Sequence, residues 1–285
     1  MNRYLDYGGT GRLLHFAPAN GFPPEAYRPL IEALAPGWRS VGYCPRPLWP
    51  TSQPDEVRSW HDLASDMLAD LDRLSSEPVI GVGHSLGGIM TMYAALWRPE
   101  RFHAVVLLEP TFLPRRLLPL FWIARRLGQH HRIPLARSAA RRRHHFPNLD
   151  AARAHYHRRG AFAQFMPSAL DGYLEGGLQP TEEGDLTLAW SRIWESRIFS
   201  LVSVDVWDAV AKLSMPLLIV RGRSSDLLID RSWRALTRLL PNARLIEIAG
   251  SHMVPMEHPQ AVADTLNAFL NGLDQPVSYK QTVTS

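Results

Sequence analysis

The chain has 285 residues, of which 46% are hydrophobic and 20% are charged, and its formal net charge is +4. This composition predicts one large α/β domain or two small domains with a sizeable core, and it excludes a disordered chain or a coiled coil. The single cysteine, Cys44, excludes an internal disulfide framework and a cysteine-based zinc site. The sequence contains no apolar run long enough for a transmembrane helix and no signal-peptide pattern near Met1, so we expect a cytoplasmic protein.

The basic charge is concentrated in one segment of the chain. Residues 111–200 hold 14 arginines and 7 acidic residues, whereas the rest of the chain holds 17 basic and 20 acidic residues. A basic patch attracts anionic lipids, phosphorylated substrates or nucleic acid, but no nucleic-acid-binding motif is present, and we expect no nucleic-acid partner. We interpret the patch first as a solvated surface; a weak attraction to a membrane surface or anionic lipid is the alternative.

Short apolar strands alternate with amphipathic helices in the first part of the chain. Strands are predicted over residues 12–18, 38–43, 78–83 and 104–108, and helices over 25–34, 61–74 and 86–97. The alternation resumes with strands over 216–221 and 243–248 and helices over 231–240 and 259–270. This pattern predicts an α/β fold with a mostly parallel, doubly wound sheet that is covered by helices on both faces.

The alternation stops between residues 110 and 200, where the pattern is helical and polar and no strand is predicted. We interpret this segment, called the insertion below, as an interruption of one α/β core that is formed by residues 1–109 and 201–273. Residues 274–285 are polar and are predicted to form a flexible tail.

A candidate nucleophile lies between a predicted strand and a predicted helix. The sequence Gly83-His84-Ser85-Leu86-Gly87 directly follows the strand over 78–83. A G-x-S-x-G pattern in this context is a nucleophile elbow, in which small neighbours allow a strained turn and the serine hydroxyl is held at the carboxyl edge of the sheet. A chance match in a glycine-containing turn is the alternative, and the flanking strand and helix argue against it. Ser85 is therefore the predicted nucleophile.

A serine nucleophile needs a general base, and the base needs an orienting carboxylate. His252 follows the last predicted strand and Asp226 follows the one before it, so both are expected at the same sheet edge as Ser85. His258 is a weaker candidate for the base because it stands at the start of a helix. Glu109 also ends a strand and is the alternative acid, and hydrogen-bond reach to His252 decides between the two carboxylates.

Two backbone N–H groups are expected to stabilise the developing oxyanion. One belongs to Leu86, the residue after the nucleophile. The other is assigned to Phe22, in the loop after the first predicted strand, because Gly21 lets that loop turn. A plain turn is the alternative interpretation of this loop.

These segments together resemble the α/β-hydrolase superfamily, in its capped esterase, lipase and epoxide-hydrolase-like branch. The resemblance rests on the Asn20-Gly21-Phe22-Pro23 loop, the elbow, the Gly-x-x-x-Asp sequence at Asp226 and the Gly-Ser-His sequence at His252, and it spans residues 13–270. It implies an α/β-hydrolase fold with the triad in the order Ser85, Asp226, His252. It also implies that the insertion is a helical cap placed after the sixth family strand.

The sequence departs from the family pattern in two places. Only about a dozen residues precede the first predicted strand, so we expect the family's N-terminal hairpin to be shortened or absent. Asn20 stands where the family commonly has the histidine of a His-Gly pair. The resemblance further implies an aspartate in the elbow of an epoxide hydrolase or a haloalkane dehalogenase, and Ser85 argues against both activities.

Large apolar residues in the insertion predict an apolar substrate pocket, although packing within a cap explains them as well. The candidates are Phe121, Trp122, Phe162, Phe165 and Met166. Histidine pairs at 130–131, 144–145 and 155/157 do not predict a metal site, because adjacent histidines point apart on a helix and no ligand set completes tetrahedral coordination. No metal and no cofactor are expected.

The sequence thus predicts a serine hydrolase that cleaves carboxylic esters of a small apolar or amphiphilic molecule through an acyl-enzyme intermediate, as a monomer or a dimer. A lysophospholipase or monoacylglycerol lipase, a thioesterase, a carbon–carbon bond hydrolase and a cofactor-free perhydrolase are alternatives of the same class. A non-catalytic ligand receptor on the same fold is the alternative from another class, and the complete set of candidate triad residues argues against it.

Overall fold

The computed structural model describes residues 3–34, 36–129, 133–157 and 159–273. The β-strands in these ranges are β1 (Tyr4–Gly8), β2 (Arg12–Ala17), β3 (Trp38–Tyr43), β4 (Val79–His84), β5 (Phe102–Leu108), β6 (His145–Phe146), β7 (Leu178–Pro180), β8 (Leu186–Leu188), β9 (Leu217–Gly222) and β10 (Arg244–Ile248). The α-helices are α1 (Arg28–Glu32), α2 (Trp60–Leu74), α3 (Leu86–Trp97), α4 (Leu118–Arg126), α5 (Pro134–Ala140), α6 (Leu149–Tyr156), α7 (Pro167–Gly177), α8 (Arg192–Ser200), α9 (Val206–Val210), α10 (Asp230–Leu239), α11 (Val254–Glu257) and α12 (Pro259–Asn271). The histidine pair at 130–131 and the predicted tail, 274–285, lie outside the described residues.

The central sheet has the strand order β1-β3-β2-β4-β5-β9-β10. β1 is antiparallel to β3, and the other neighbouring strands are parallel to one another. Side chains that alternate along β5 enter two separate cores: Val105 and Leu107 pack on one face, and Val106 and Leu108 on the other. Such a strand has to be apolar on both sides, which explains its continuous apolar sequence. The predicted α/β fold with its doubly wound sheet is confirmed.

Two elements near the N-terminus differ from the prediction. β1 was not predicted, because this five-residue strand includes Asp6 and is only partly buried. It pairs with β3 and not with β2, so the first two strands do not form a hairpin with each other. The helix predicted over 25–34 is divided into a 3₁₀ turn, Pro24–Tyr27, and α1. The division falls next to Pro29, which is tolerated in the first turn of a helix and not in its interior.

The insertion follows β5 and contains strands that were not predicted. β6, β8 and β7 form a second, antiparallel sheet in that order. The expectation that the insertion has no strand was therefore wrong, because strands of two or three residues are too short to show a two-residue period. Hydrogen bonds connect the insertion to the core. For example, the Met166 N–H donates to the Met256 carbonyl at 2.8 Å.

None of the helices in the described part of the chain is both long enough and apolar enough to cross a membrane.

Candidate active site

Ser85 lies in a strained turn between β4 and α3. Its φ is +52°, and only one other non-glycine residue of the described ranges, Glu109 with a φ of +47°, has a positive φ. Glycines on either side make the turn possible. A Cβ atom on Gly83 would lie 2.3 Å from the Gly87 carbonyl oxygen, and one on Gly87 would lie 2.1 Å from the Ala17 carbonyl oxygen. Backbone strain of this kind persists where the surrounding structure enforces it, and it is concentrated at functional sites.

Two side chains are within hydrogen-bond distance of the Ser85 hydroxyl. His252, on the loop after β10, has its Nε2 atom 3.0 Å from Ser85 Oγ. Thr111 Oγ1 lies 3.3 Å from the same oxygen and was not predicted, since a single threonine in a loop carries no sequence signal. His252 is thus in position to accept the proton of the serine hydroxyl.

The carboxylate beside His252 belongs to Glu109 and not to Asp226. Glu109 directly follows β5 and is fully buried, and its Oε2 atom lies 2.9 Å from His252 Nδ1. The Gly222 N–H donates to Oε1 at 2.5 Å, and the Ser225 hydroxyl donates to Oε2 at 2.6 Å. The prediction that Asp226 is the carboxylate beside His252 is therefore corrected. Asp226 lies four residues beyond the end of β9 and is exposed, and Ser225 is the residue of this loop that contacts Glu109.

A buried hydrogen-bonded chain connects the end of β4 to the loop after β2 and to the loop after β10. His84, next to Ser85, has Nδ1 2.7 Å from the Tyr27 hydroxyl and Nε2 2.9 Å from the His252 carbonyl oxygen. The Tyr27 oxygen in turn accepts the Ala19 N–H at 3.0 Å. Burial lowers the pKa of His84 well below its usual value, so the ring is neutral. Its Nε2–H therefore donates to the carbonyl, and its Nδ1 accepts the tyrosine O–H.

The two predicted oxyanion donors are in different situations. Leu86 is the first residue of α3, where N–H groups have no acceptor within the helix. The Phe22 N–H closes a tight turn by donating to the Ala19 carbonyl at 3.1 Å, and Gly21 in this turn has a φ of +81°. A substrate oxygen would have to share the Phe22 N–H with that carbonyl.

Ser85 contributes to the walls of two cavities. The larger, about 1190 Å³, lies between the insertion and the core and also contains His252 and Asp226. The smaller, about 160 Å³, is lined by apolar side chains, among them Trp60 and Leu113.

The five predicted pocket residues have different surroundings. Phe121 lines the smaller cavity and Phe162 the larger one. Phe165 lines another cavity, of about 430 Å³, to which Ser85 does not contribute. Trp122 and Met166 are 50% and 42% exposed and do not line either cavity beside Ser85.

The structure also bears on metal binding and on the single cysteine. No group of three or more potential metal ligands is assembled within the described ranges. Burial raises the pKa of the Cys44 thiol to about 12, so this residue remains a protonated thiol at neutral pH.

A parallel α/β sheet that holds a serine in an elbow, with a histidine after its last strand, defines the class of α/β hydrolases. Residues 9–265 match the model of the alpha/beta hydrolase family, and the chain belongs to that family. The resemblance found in the sequence is thereby confirmed.

The chain is similar to other hydrolases in sequence and in structure. It is 25% identical to 2-(acetamidomethylene)succinate hydrolase of Mesorhizobium japonicum over 268 residues, which cover 93% of this chain and 89% of that one. A crystal structure of E-2-(acetamidomethylene)succinate hydrolase has a TM-score of 0.76 at 22% identity and covers 94% of both chains. Epoxide hydrolase 3 of Siraitia grosvenorii is 39% identical over 84 residues, which are 30% of this chain and 25% of that one.

Proposed function

We propose that this protein is a serine hydrolase that cleaves a carboxylic ester of a small molecule through an acyl-enzyme intermediate. The observation that carries the proposal is the arrangement Ser85–His252–Glu109, with contacts of 3.0 Å and 2.9 Å between successive side chains. The insertion is proposed to be a cap, because it contributes much of the wall of the cavity that contains Ser85.

The reaction proceeds in two halves. His252 Nε2 takes the hydroxyl proton while Ser85 Oγ attacks the ester carbonyl, and the N–H groups of Leu86 and Phe22 bind the oxyanion. Glu109 stabilises the imidazolium, which then gives its proton to the departing alcohol and leaves an acyl-serine. In the second half, His252 takes a proton from water, the resulting hydroxide attacks the acyl group, and the carboxylic acid leaves as Ser85 regains its proton.

The relatives support this proposal to different extents. The name of 2-(acetamidomethylene)succinate hydrolase denotes a hydrolase of a small molecule, and that relative is similar over nearly the whole chain. The similarity to the epoxide hydrolase covers less than a third of this chain. An epoxide hydrolase is expected to have an aspartate in the elbow, so Ser85 favours acyl transfer over epoxide opening.

Hydrolysis of p-nitrophenyl esters, from acetate to palmitate, tests the proposal. We expect Ser85→Ala to lower kcat/KM at least about 10³-fold, because the nucleophile is lost. Ser138→Ala is the matched control, since Ser138 lines the same cavity and is not among the hydrogen-bond partners of Ser85, His252 or Glu109. Full activity of Ser85→Ala would overturn the proposed mechanism.

A serine-reactive fluorophosphonate provides a second readout that does not depend on the choice of ester. We expect it to modify the wild-type protein and not Ser85→Ala, as seen by intact mass. A folded wild-type protein that neither cleaves any ester nor reacts with this probe would favour the ligand-receptor alternative.

A second candidate function, hydrolysis of a lipid ester at an anionic membrane surface, is favoured by α4. Leu120 and Ile123 of α4, and Leu127 directly after its end, recur at helical spacing and are 63%, 46% and 66% exposed. The Arg126 guanidinium lies over the ring of the half-exposed Trp122, and this combination is typical of helices that lie in a membrane interface. The opposite side of the helix contributes Phe121 to the smaller cavity beside Ser85.

Co-sedimentation with vesicles of phosphatidylcholine and phosphatidylserine tests this second candidate. We expect binding at low salt that Leu120→Glu weakens at least about tenfold, because the charge opposes burial of the stripe. Leu149→Glu is the control, since Leu149 is an exposed leucine of the insertion outside α4. Equal sedimentation of wild type and Leu120→Glu would exclude α4 as a membrane contact.

A further inference from the structure

The wall that the insertion contributes to the larger cavity is rich in arginine. Arg137 and Arg141 stand four residues apart at the end of α5, and Arg159 follows α6; all three line the cavity and are exposed. Arg159 has a contact to His155, with its Nη1 atom 3.2 Å from the imidazole Nδ1. Within the described ranges, none of the three arginines forms an ion pair with an acidic side chain.

The acidic groups of the same cavity do not neutralise this wall. Glu195 forms an ion pair with a fourth arginine, Arg142, and the Arg142 Nη1 atom lies 2.8 Å from the Glu195 carboxylate. Glu257 accepts the N–H and the hydroxyl of Ser251, at 2.7 Å and 2.5 Å. Asp226 is exposed and belongs to the core side of the cavity. The insertion side of the cavity therefore carries unpaired positive charge.

The smaller cavity beside Ser85 has the opposite character. The smaller cavity is lined mainly by apolar side chains, which include Trp60, Leu113, Phe121 and Ile198. Its volume is about 160 Å³. A dry apolar cavity of about 150 Å³ holds one benzene molecule, so a group of that size fits the smaller cavity.

We infer that the substrate carries a carboxylate on one side of its scissile carbonyl and a compact apolar group on the other. Arg137, Arg141 and Arg159 bind the carboxylate, and the smaller cavity takes the apolar group while Ser85 attacks the carbonyl between them. Guanidinium groups recognise a carboxylate through paired, charge-assisted hydrogen bonds, and the wall offers three such groups. The inference rests on the proposed ester hydrolysis, since that reaction puts the scissile carbonyl at Ser85.

Two matched pairs of esters measure the preference. Phenyl pentanoate and monophenyl glutarate have five-carbon acyl chains and differ by the terminal carboxylate of the second. Phenyl pentanoate and 3-carboxyphenyl pentanoate differ by a carboxylate on the leaving group. After division by the rate of alkaline hydrolysis, we expect kcat/KM to favour the charged member of at least one pair by about tenfold or more. No preference for either charged ester would overturn the inference.

Variants of the arginines connect the preference to this wall. We expect the double substitution R137Q/R141Q to reduce the charged-to-neutral ratio of kcat/KM at least about tenfold, since two charge-assisted contacts are lost. Arg116→Gln removes the same charge from an exposed position of the insertion outside the cavity and should leave the ratio unchanged. An equal ratio in the wild type and in R137Q/R141Q would refute the role of these arginines.

Binding of a ligand that is not hydrolysed separates this inference from the proposed function. 5-Phenylpentanoate carries both required groups, and 5-phenylpentanamide lacks the charge; calorimetry on the wild type compares their Kd values. If no ester is cleaved but the acid binds at least about tenfold more tightly than the amide, and R137Q/R141Q abolishes that difference, the proposed function fails and the subsite stands. If esters are cleaved but acid and amide bind equally, the subsite is wrong and the proposed function stands.

Discussion

The most decisive prediction concerns which carboxylate supports His252. We expect Glu109→Gln to lower kcat/KM strongly and Asp226→Asn to change it by less than about threefold. Glutamine is nearly isosteric with glutamate, so the substitution removes the charge and preserves the volume at this fully buried position. The two variants therefore compare the same chemical change at the two candidate positions.

The expected magnitude follows from the geometry. When His252 accepts the serine proton, its imidazolium lies beside a carboxylate whose nearest oxygen is 2.9 Å from Nδ1. With a charge separation of about 4 Å and an effective dielectric constant of about 20, the interaction is worth about 4 kcal/mol. Loss of this interaction in the transition state corresponds to about a 10³-fold lower kcat/KM.

The assay is the hydrolysis of a p-nitrophenyl ester, with thermal unfolding and circular dichroism to show that each variant is folded. Glu109 also accepts the Gly222 N–H and the Ser225 hydroxyl, so a lower melting temperature is expected for the glutamine variant. A loss of about 10³-fold in Asp226→Asn, together with a nearly unchanged Glu109→Gln, would refute the assignment and would require a rearranged loop after β9.

Three further predictions test the surroundings of the site. Tyr27→Phe breaks the chain through His84, so we expect kcat to fall about tenfold at a nearly unchanged KM. The control is Tyr7→Phe, at a partly buried tyrosine whose hydroxyl donates to the Pro24 carbonyl at 2.6 Å, and equal losses would indicate a general packing effect. Burial lowers the pKa of His15 from 6.5 to about 4, and the unfolded chain binds this proton first. Titration of His15 alone should therefore lower the free energy of unfolding by about 2 kcal/mol between pH 7.5 and pH 5. Urea titrations should show that His15→Leu reduces the total loss over this range by about that amount; an unchanged loss would refute the prediction. Phe121→Ala enlarges the smaller cavity and should shift the preferred size of the apolar group upward; an unchanged preference across an ester series would exclude this cavity as its binding site.

Much of the fold was accessible from sequence periodicity because the central strands are buried on both faces. β4 and β9 are buried throughout, so they appear as apolar runs between turns. α3 begins and ends where the sequence predicted, at Leu86 and Trp97. β1 and the short strands of the insertion were missed, because they are half exposed or too short for a period to develop.

Ser85 and His252 lie at the sheet edge where the sequence placed them, whereas the carboxylate beside His252 is Glu109 and not the predicted Asp226. Glu109 and Asp226 both follow predicted strands, so the sequence places both carboxylates at the same edge of a parallel sheet. The two strands, β5 and β9, are neighbours in the sheet. Their distances from His252 depend on the loop conformations after the strands. The positive φ of Glu109 carried no sequence signal, because that conformation is usually marked by glycine.

The sequence by itself predicted the class of fold and the candidate nucleophile and base, because glycine spacing and apolar periodicity are local properties of the chain. Tertiary structure alone placed Glu109 beside His252, connected His84 to Tyr27 and to the loop of His252, and formed the arginine-lined and apolar cavities beside Ser85. The hydrogen bonds among these features join residues that are 57 to 168 positions apart in the chain. Their contacts depend on how loops and the insertion pack on the sheet, and no local pattern encodes that packing.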